Sequence, residues 1–408
     1  MEKVLKYLGN ESFVYIIVNI LVAFLGFARS FAFIKFFGFG DLGVITMVNT
    51  ASMLITFFQI GTINGGYRII ALGEIESNVK TNNVIYSYLG TISLIVSFLG
   101  LVFWWCEISS FQLIIISVLL GVLLLFNNWL TNCLIASKKL KKLNLTNLIS
   151  SILGFFSLVL IPSLGLTGAL IALLVQPVIF IVLNLNKNTF PTKFDLDIKY
   201  LRYILGFGFI PYVSGIFYLS YMQIERWSIN SLLGKEALGS LYLFFLILNL
   251  WTLIPSSILN IFFPKAIKAY SNGEMEEFRN VLRSDLIAVL GYLVFSIVMI
   301  LLFLKIMVGA LFPQHLPYVS LVYLAIPGLV MKALTDPLAL FFNSIVNLKP
   351  IFWSDFVSIV VYILSIVFFK VFVDINLNSF IYCFNLYFLC KLLYLFAVYT
   401  KVKNNYDV

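Results

Sequence analysis

Hydrocarbon penalises charge, so ionised side chains set inside apolar runs are the residues most apt to do chemistry. GFARSFAFIKFF (26–37) carries Arg29, SYMQIERWSIN (220–230) carries Glu225 and Arg226, and GLVMKALTDPLALFF (328–342) carries Lys332 and Asp336. Asp355 and Lys391 lie in two further apolar runs, nearer their ends, and Arg68 follows a Gly-Gly pair in GGYRIIALGE. A guanidinium offers a planar fork of donors that fits a phosphate, and a buried ammonium offers a point charge. Carboxylates beside them suit charge balance or the binding of a coupling ion. Other chemistry lacks raw material. With one histidine, His315, and four scattered cysteines (Cys106, Cys133, Cys383 and Cys390), neither a metal cluster nor a Ser/His/Asp arrangement is expected. We therefore assign no catalytic residue and no metal ligand, and read the cysteines as small buried apolar residues.

The elements that position these groups follow from composition. Of 408 residues, 61% are hydrophobic and only 11% charged, and the mean hydropathy is +1.02. A soluble protein carries about 25% charged residues. The chain is therefore an all-α polytopic membrane protein, since helices satisfy their own backbone in lipid. A span needs about 20 apolar residues. Twelve are predicted, near 12–34, 43–63, 84–104, 112–134, 146–163, 166–185, 203–224, 238–262, 285–305, 318–341, 352–372 and 380–400. Of 27 Lys and Arg, nineteen fall in loops on the side of the N-terminus, among them Lys3, Lys6, Lys187 and the SKKLKKLN loop, and five on the other. The positive-inside rule then puts both termini in the cytoplasm. The same distribution makes the +9 net charge a property of membrane-facing loops and argues against a nucleic-acid partner.

Two halves share a pattern. FFGFGDLGVITM (36–47) and LLGKEALGSLYL (232–243) match at Gly38/Gly234, Leu42/Leu238 and Gly43/Gly239; 138–151 and 346–359 match at Leu140/Leu348, Lys141/Lys349 and Ser150/Ser358. We expect two parallel six-helix bundles, 1–190 and 191–408. Repeats of this kind place a substrate between them. Arg29 and Glu225 each lie nine residues before the matched glycine, about 13 Å below the helix end at 1.5 Å per residue.

Each candidate has a bland counterpart. Arg29 either contacts an anionic cargo together with Arg226, with Glu225 balancing charge, or it snorkels outward. Lys332 and Asp336 stand on one helix face, as cargo contact and charge-balancing or ion-coupling group, or as a self-neutralised pair. Pro327 and Pro337 in the same helix are candidate hinges. Asp355, also a candidate for charge balance or ion coupling, and Lys391 are expected to snorkel. Arg68 marks either a cytoplasmic mouth for an anion or an ordinary basic loop. Asn49, Asn127, Asn128 and Asn249 either line a cavity or bond between helices.

The segment KYLRYILGFGFIPYVSGIFYLSYMQIERWSINSLLGKEALGSLY, the Gly-x4-Gly turn after the first span, and the later FFPKAIKAYSNG together resemble polysaccharide flippases. The resemblance extends over the whole chain in span count and layout. These are the O-antigen or Wzx-type proteins of the MOP superfamily, which also contains MATE drug exporters and the lipid II flippase. The usual Asp of one motif is Glu225 here, which retains the carboxylate. The resemblance implies alternating access and no bound cofactor, with H⁺ or Na⁺ as coupling ion. It further implies an undecaprenyl-diphosphate-linked glycan as substrate, a bacterial inner-membrane location, and a polysaccharide polymerase as candidate partner. A drug or metabolite exporter is the alternative, less suited to intramembrane cations. A membrane polymerase is a further one, disfavoured by short outer loops.

Overall fold

The computed structural model describes residues 11–72, 75–106, 111–185, 191, 193–345 and 347–403. Lys3, Lys6 and Lys187 of the basic count lie outside them. Every regular element among the described residues is helical. In chain order these are α1 (Glu11–Phe36), α2 (Phe39–Thr56), α3 (Thr62–Leu72), α4 (Ile75–Trp105), α5 (Phe111–Ala136), α6 (Leu140–Phe156) and α7 (Ile161–Asn184). There follow α8 (Ile198–Leu233), α9 (Lys235–Ser240), α10 (Tyr242–Ser271), α11 (Met275–Leu311), α12 (Val319–Ser344), α13 (Lys349–Phe372) and α14 (Leu377–Val402). Three short 3₁₀ turns lie at Phe57–Gln59, Ser157–Leu160 and Pro313–Tyr318. Among the described residues ten stretches are long and apolar enough to cross a membrane. They overlap eleven of the twelve predicted spans, because Leu140–Asn184 covers the fifth and most of the sixth. The remaining one, 203–224, falls inside the 36-residue α8.

Two breaks differ from the sequence expectation. The second span was drawn to 63, but α2 ends at Thr56 and the chain turns through Ile60 and Gly61, both left-handed at φ 46° and 86°. The turn lets α3 pack sideways: a methyl on Gly61 would stand 2.7 Å from the Gly208 carbonyl oxygen. Hydropathy cannot register such a bend, because the residues on both sides of it are apolar. Likewise the Ser157–Leu160 turn between α6 and α7 falls inside the predicted fifth span, 146–163, while the reversal at Gly165 (φ 55°, ψ −133°) lies between that span and the sixth, where a break was expected.

The chain divides into two compact units, meeting in sequence at Ile216 and Phe217, within α8. In the first, α1 packs on α6, α2 on α5, α4 on α5, and α7 on α5 and α6. Its core is built round Trp129, with Ile85, Leu89, Leu125, Leu134, Phe180 and Ile204. The Trp129 indole N–H donates to Asn82 Oδ1 at 3.0 Å, so the one polar atom of that ring is satisfied in the core. Ahead of α8, Asp197 accepts from the Tyr200 backbone N–H at 2.9 Å and pairs with the Lys80 ammonium at 2.8 Å. The Lys80 hydrogen bond foremost, then that N–H, hold the Asp197 carboxyl below the usual carboxylate range. In the second unit α10, α11 and α12 pack on one another, and α14 packs on α12 and α13.

The matched positions agree in part: Gly43 and Gly239 are both buried, whereas Gly38 is exposed and Gly234 half-buried. Leu42 and Leu238 are both fully buried, as are Ser150 and Ser358 to within 1%. Gly38 has an ordinary φ of −75°, whereas Gly234 sits at φ 89°, where an L side chain is strained.

Candidate functional site

In the first unit Arg29 sits half-buried on α1 and donates to Gln176 Oε1 of α7 at 3.3 Å. Gln176 in turn donates to Ser151 Oγ of α6 at 3.0 Å. The three helices can approach because Gly154 gives way: a methyl there would meet Gln176 Cβ at 2.8 Å. The amide of Gln176 thus takes part in orienting the Arg29 guanidinium inside the bundle. Arg68 is exposed on α3, apart from this chain of hydrogen bonds. Gln176 was not foreseen, and its signal is a lone amide in ALIALLVQPVIFIV.

The second unit gathers most of the remaining candidates round α14. The Lys391 ammonium bonds Asp355 Oδ1 at 2.5 Å, with side chains 12% and 2% exposed. The Tyr387 hydroxyl donates to the same oxygen at 3.0 Å. Lys391 and Asp355, expected to snorkel, instead form a buried pair. Each sits deep enough to find an opposite charge on the neighbouring helix, and leaving either unpaired in the interior costs several kcal/mol. The Tyr387 ring stacks on Tyr221 at 3.7 Å and 12°, with Tyr362 edge-on to Tyr221 at 5.1 Å. The Tyr221 hydroxyl donates to Glu225 Oε1 at 3.3 Å. Glu225 is 2% exposed and lies within electrostatic reach of Arg226, Tyr362 and Cys383. A line of aromatic and ionised groups therefore connects Glu225 on α8 to Asp355 on α13 and Lys391 on α14. Arg226 turns its guanidinium over the Phe245 ring, 5.0 Å from its centroid.

Lys332 and Asp336, one turn apart on α12, oppose each other's charge, and Asp336 is also within reach of Lys391. Lys332 is 7% exposed. Pro327 and Pro337 both lie inside α12, which is continuous over Val319–Ser344. A proline removes one ladder hydrogen bond and its ring pushes away the carbonyl before it. Asn385 of α14 repairs the damage at Pro327: it accepts from Gly328 N–H at 2.8 Å and donates to the Leu324 carbonyl at 2.9 Å. Gly328 leaves the room, since a methyl there would lie 2.5 Å from Phe384 Cε1. The Trp251 indole N–H adds a bond to the Leu329 carbonyl at 3.1 Å. Asn385 and Trp251 were not among the sequence candidates.

Of the other expectations, Asn128 and Asn249 are exposed, and Asn49 and Asn127 are half-buried. Cys133 and Cys383 are buried as expected, but Cys390 is half-buried and Cys106, just after α4, is exposed. Among the described residues no group of three or more His, Cys, Asp and Glu could hold a metal ion.

No protein-family model matches the sequence, and no curated protein does. Solved structures do match in fold. An inward-facing multidrug resistance MATE family transporter of the MOP superfamily aligns at 13% identity with a TM-score of 0.73, over 98% of each chain. The lipid II flippase MurJ, in an inward closed conformation, aligns at 17% identity and 0.70, over 94% of this chain and 87% of its own. A MOP superfamily transporter from Pyrococcus furiosus aligns at 14% and 0.67, over 98% and 96%. The chain is a multi-pass, all-α membrane protein with the fold of these MOP superfamily structures.

Proposed function

We propose that the chain is a flippase that carries a polyprenyl-diphosphate-linked oligosaccharide from the cytoplasmic to the outer leaflet of a bacterial inner membrane. The sugar-lipid resembles an O-antigen or similar surface-polysaccharide repeat unit on undecaprenyl diphosphate. Transport proceeds by alternating access of two six-helix bundles, 1–190 and 191–408, without covalent chemistry. The observation that carries this reading is the set of cations held inside apolar helices by groups that a cargo can replace. Arg29 donates to the Gln176 amide, and Lys332 and Lys391 sit beside carboxylates. A diphosphate offers each of them a stronger partner, and its dianionic group is what most resists crossing roughly 30 Å of hydrocarbon.

In this reading Arg29, Arg226 and Lys332 contact the diphosphate, and Arg68 meets it at the entrance. Glu225, Asp336 and Asp355 balance charge when the cargo is absent, and Pro327 and Pro337 permit α12 to bend. MurJ, described as a lipid II flippase, supports a lipid-linked cargo on this fold. The coupling ion is H⁺ or Na⁺, and a polysaccharide polymerase is the expected downstream partner. The test is equilibrium binding of a short-chain polyprenyl diphosphate sugar to the protein in nanodiscs. Saturable binding that weakens at least tenfold in Lys332→Gln, with the folded fraction unchanged, supports the assignment. Equal affinity for the diphosphate and for the same prenol without phosphate refutes it.

A further inference from the structure

Beside the cations and carboxylates of the proposed cargo path lies a further buried carboxyl group. Asp285 lies on α11 and is fully buried, and neither carboxylate oxygen accepts a hydrogen bond among the described residues. Val281 on α11 and Leu340 on α12 meet in one apolar cluster. On antiparallel helices, four residues onward on α11 meets four residues back on α12, which sets Asp285 against Asp336. The two carboxylates are within electrostatic reach, and Asp336 Oδ2 is itself buried without a hydrogen-bond partner.

The surrounding charges decide which of the two carries a proton. From α12 come Lys332 and Asp336. From α14 come Lys391, which reaches Asp336, and Tyr399. From α10 comes Tyr270 in the same cluster, while Lys268 is exposed and Lys265 is exposed over the Phe262 ring at 5.6 Å. On α11 itself Arg283 is exposed, and the Tyr292 hydroxyl donates to the Trp251 carbonyl at 3.0 Å. Lys332 and Lys391 are already opposed by Asp336 and Asp355. These four charges cancel, and Asp285 is the fifth. An ionised carboxylate buried with neither hydrogen bond nor counter-ion neutralises instead.

We infer that Asp285 is a proton-binding site, neutral while Asp336 is ionised, and that its proton is linked to anion binding in the same cluster. This rests on the flippase reading for the identity of the anion, but the proton site itself does not. A diphosphate drawn to Lys332 and Lys391 adds two negative charges beside Asp336. It is accepted only while Asp285 is neutral, and loss of the Asp285 proton favours its release. By reciprocity, the anion tightens proton binding by the same factor as the proton tightens anion binding.

The test has two arms on the full-length protein in nanodiscs. Infrared difference spectroscopy across a pH titration should show a protonated buried carboxyl band that grows as pH falls from neutral into the acid range. The band should be absent in Asp285→Asn. The same band in Asp285→Asn, or its absence from wild type, overturns the inference. Should Asp285→Asn not fold, ¹³C-carboxyl-aspartate labelling of wild type gives the equivalent readout: no aspartate that takes up a proton between neutral and mildly acid pH overturns it. In the second arm, inorganic pyrophosphate and a short-chain polyprenyl diphosphate are the probes. Wild type should bind both at least tenfold more tightly as pH falls from neutral into the acid range, and Asp285→Asn should lose that dependence. A pH-independent affinity in wild type overturns the linkage. Failure of the lipid-linked probe alone, with the carboxyl band present and pyrophosphate responding to pH, overturns the flippase reading and leaves the proton site standing.

Discussion

Replacing Asn385 by leucine, of similar volume, removes the amide that spans the gap in the α12 ladder at Pro327. Two backbone groups then lose their partners inside an apolar bundle, the Gly328 N–H and the Leu324 carbonyl. A buried group left unsatisfied costs about 1–3 kcal/mol. Hydrogen bonds between membrane helices measured by double-mutant cycles average about 0.6 kcal/mol, which sets the floor. With both groups stranded, we expect a loss of about 3 kcal/mol, read by equilibrium unfolding in bicelles. The cause is specific, and so is the control. Pro327→Ala restores an N–H for the Tyr323 carbonyl and lets Gly328 N–H return to Leu324. In that background Asn385→Leu should cost about 1 kcal/mol or less, a coupling of about 2 kcal/mol, within the range for residues sharing one network. Equal costs in both backgrounds would refute the claim that Asn385 compensates the proline.

Asp355→Ala should destabilise the protein by about 3–5 kcal/mol by leaving the Lys391 ammonium buried and unpaired, whereas Asp355→Ala with Lys391→Met should cost far less; chemical denaturation of both variants checks this. Gly61→Ala should lose about 2–4 kcal/mol, because the residue sits at φ 86° and its methyl would meet the Gly208 carbonyl at 2.7 Å. Gly26→Ala, facing open space, should fall within about 0.5 kcal/mol of wild type, and thermal midpoints in detergent separate the two. In proteoliposomes Lys332→Gln should lose most lipid-linked cargo transport while Lys332→Arg keeps a measurable part of it; equal rates would count against a charge-based role.

Long apolar runs made the helices legible, since backbone in lipid has little choice but to close its own ladder. The bends were not legible. Ile60–Gly61 and Ser157–Leu160 turn the chain inside stretches that are apolar on both sides, so hydropathy passes over them. Single intramembrane charges were visible as exceptions, which is how Arg29, Glu225, Lys332 and Asp336 were found. Their partners were not, because pairing depends on which helices lie side by side. Lys391 and Asp355 read as snorkelling until α13 and α14 were placed together. Asn385, Gln176 and Trp251 are polar groups of modest hydropathy penalty, and only their position opposite a proline, an arginine or an open carbonyl gives them a role. Asp285 stood at the predicted edge of its span, where a carboxylate is ordinary, yet it is wholly enclosed.

The central claim is that this fold carries a lipid-linked anion across the membrane, and leaflet exchange measures it most directly. A fluorescent polyprenyl-diphosphate sugar would be placed in proteoliposomes and the outer leaflet quenched chemically. Wild type should expose the protected half of the probe to quencher at a rate proportional to protein copy number. Arg29→Ala, folded to the same extent, should fall to the rate of protein-free vesicles. Full transport by Arg29→Ala, or no acceleration by wild type under any imposed proton or sodium gradient, would contradict the account.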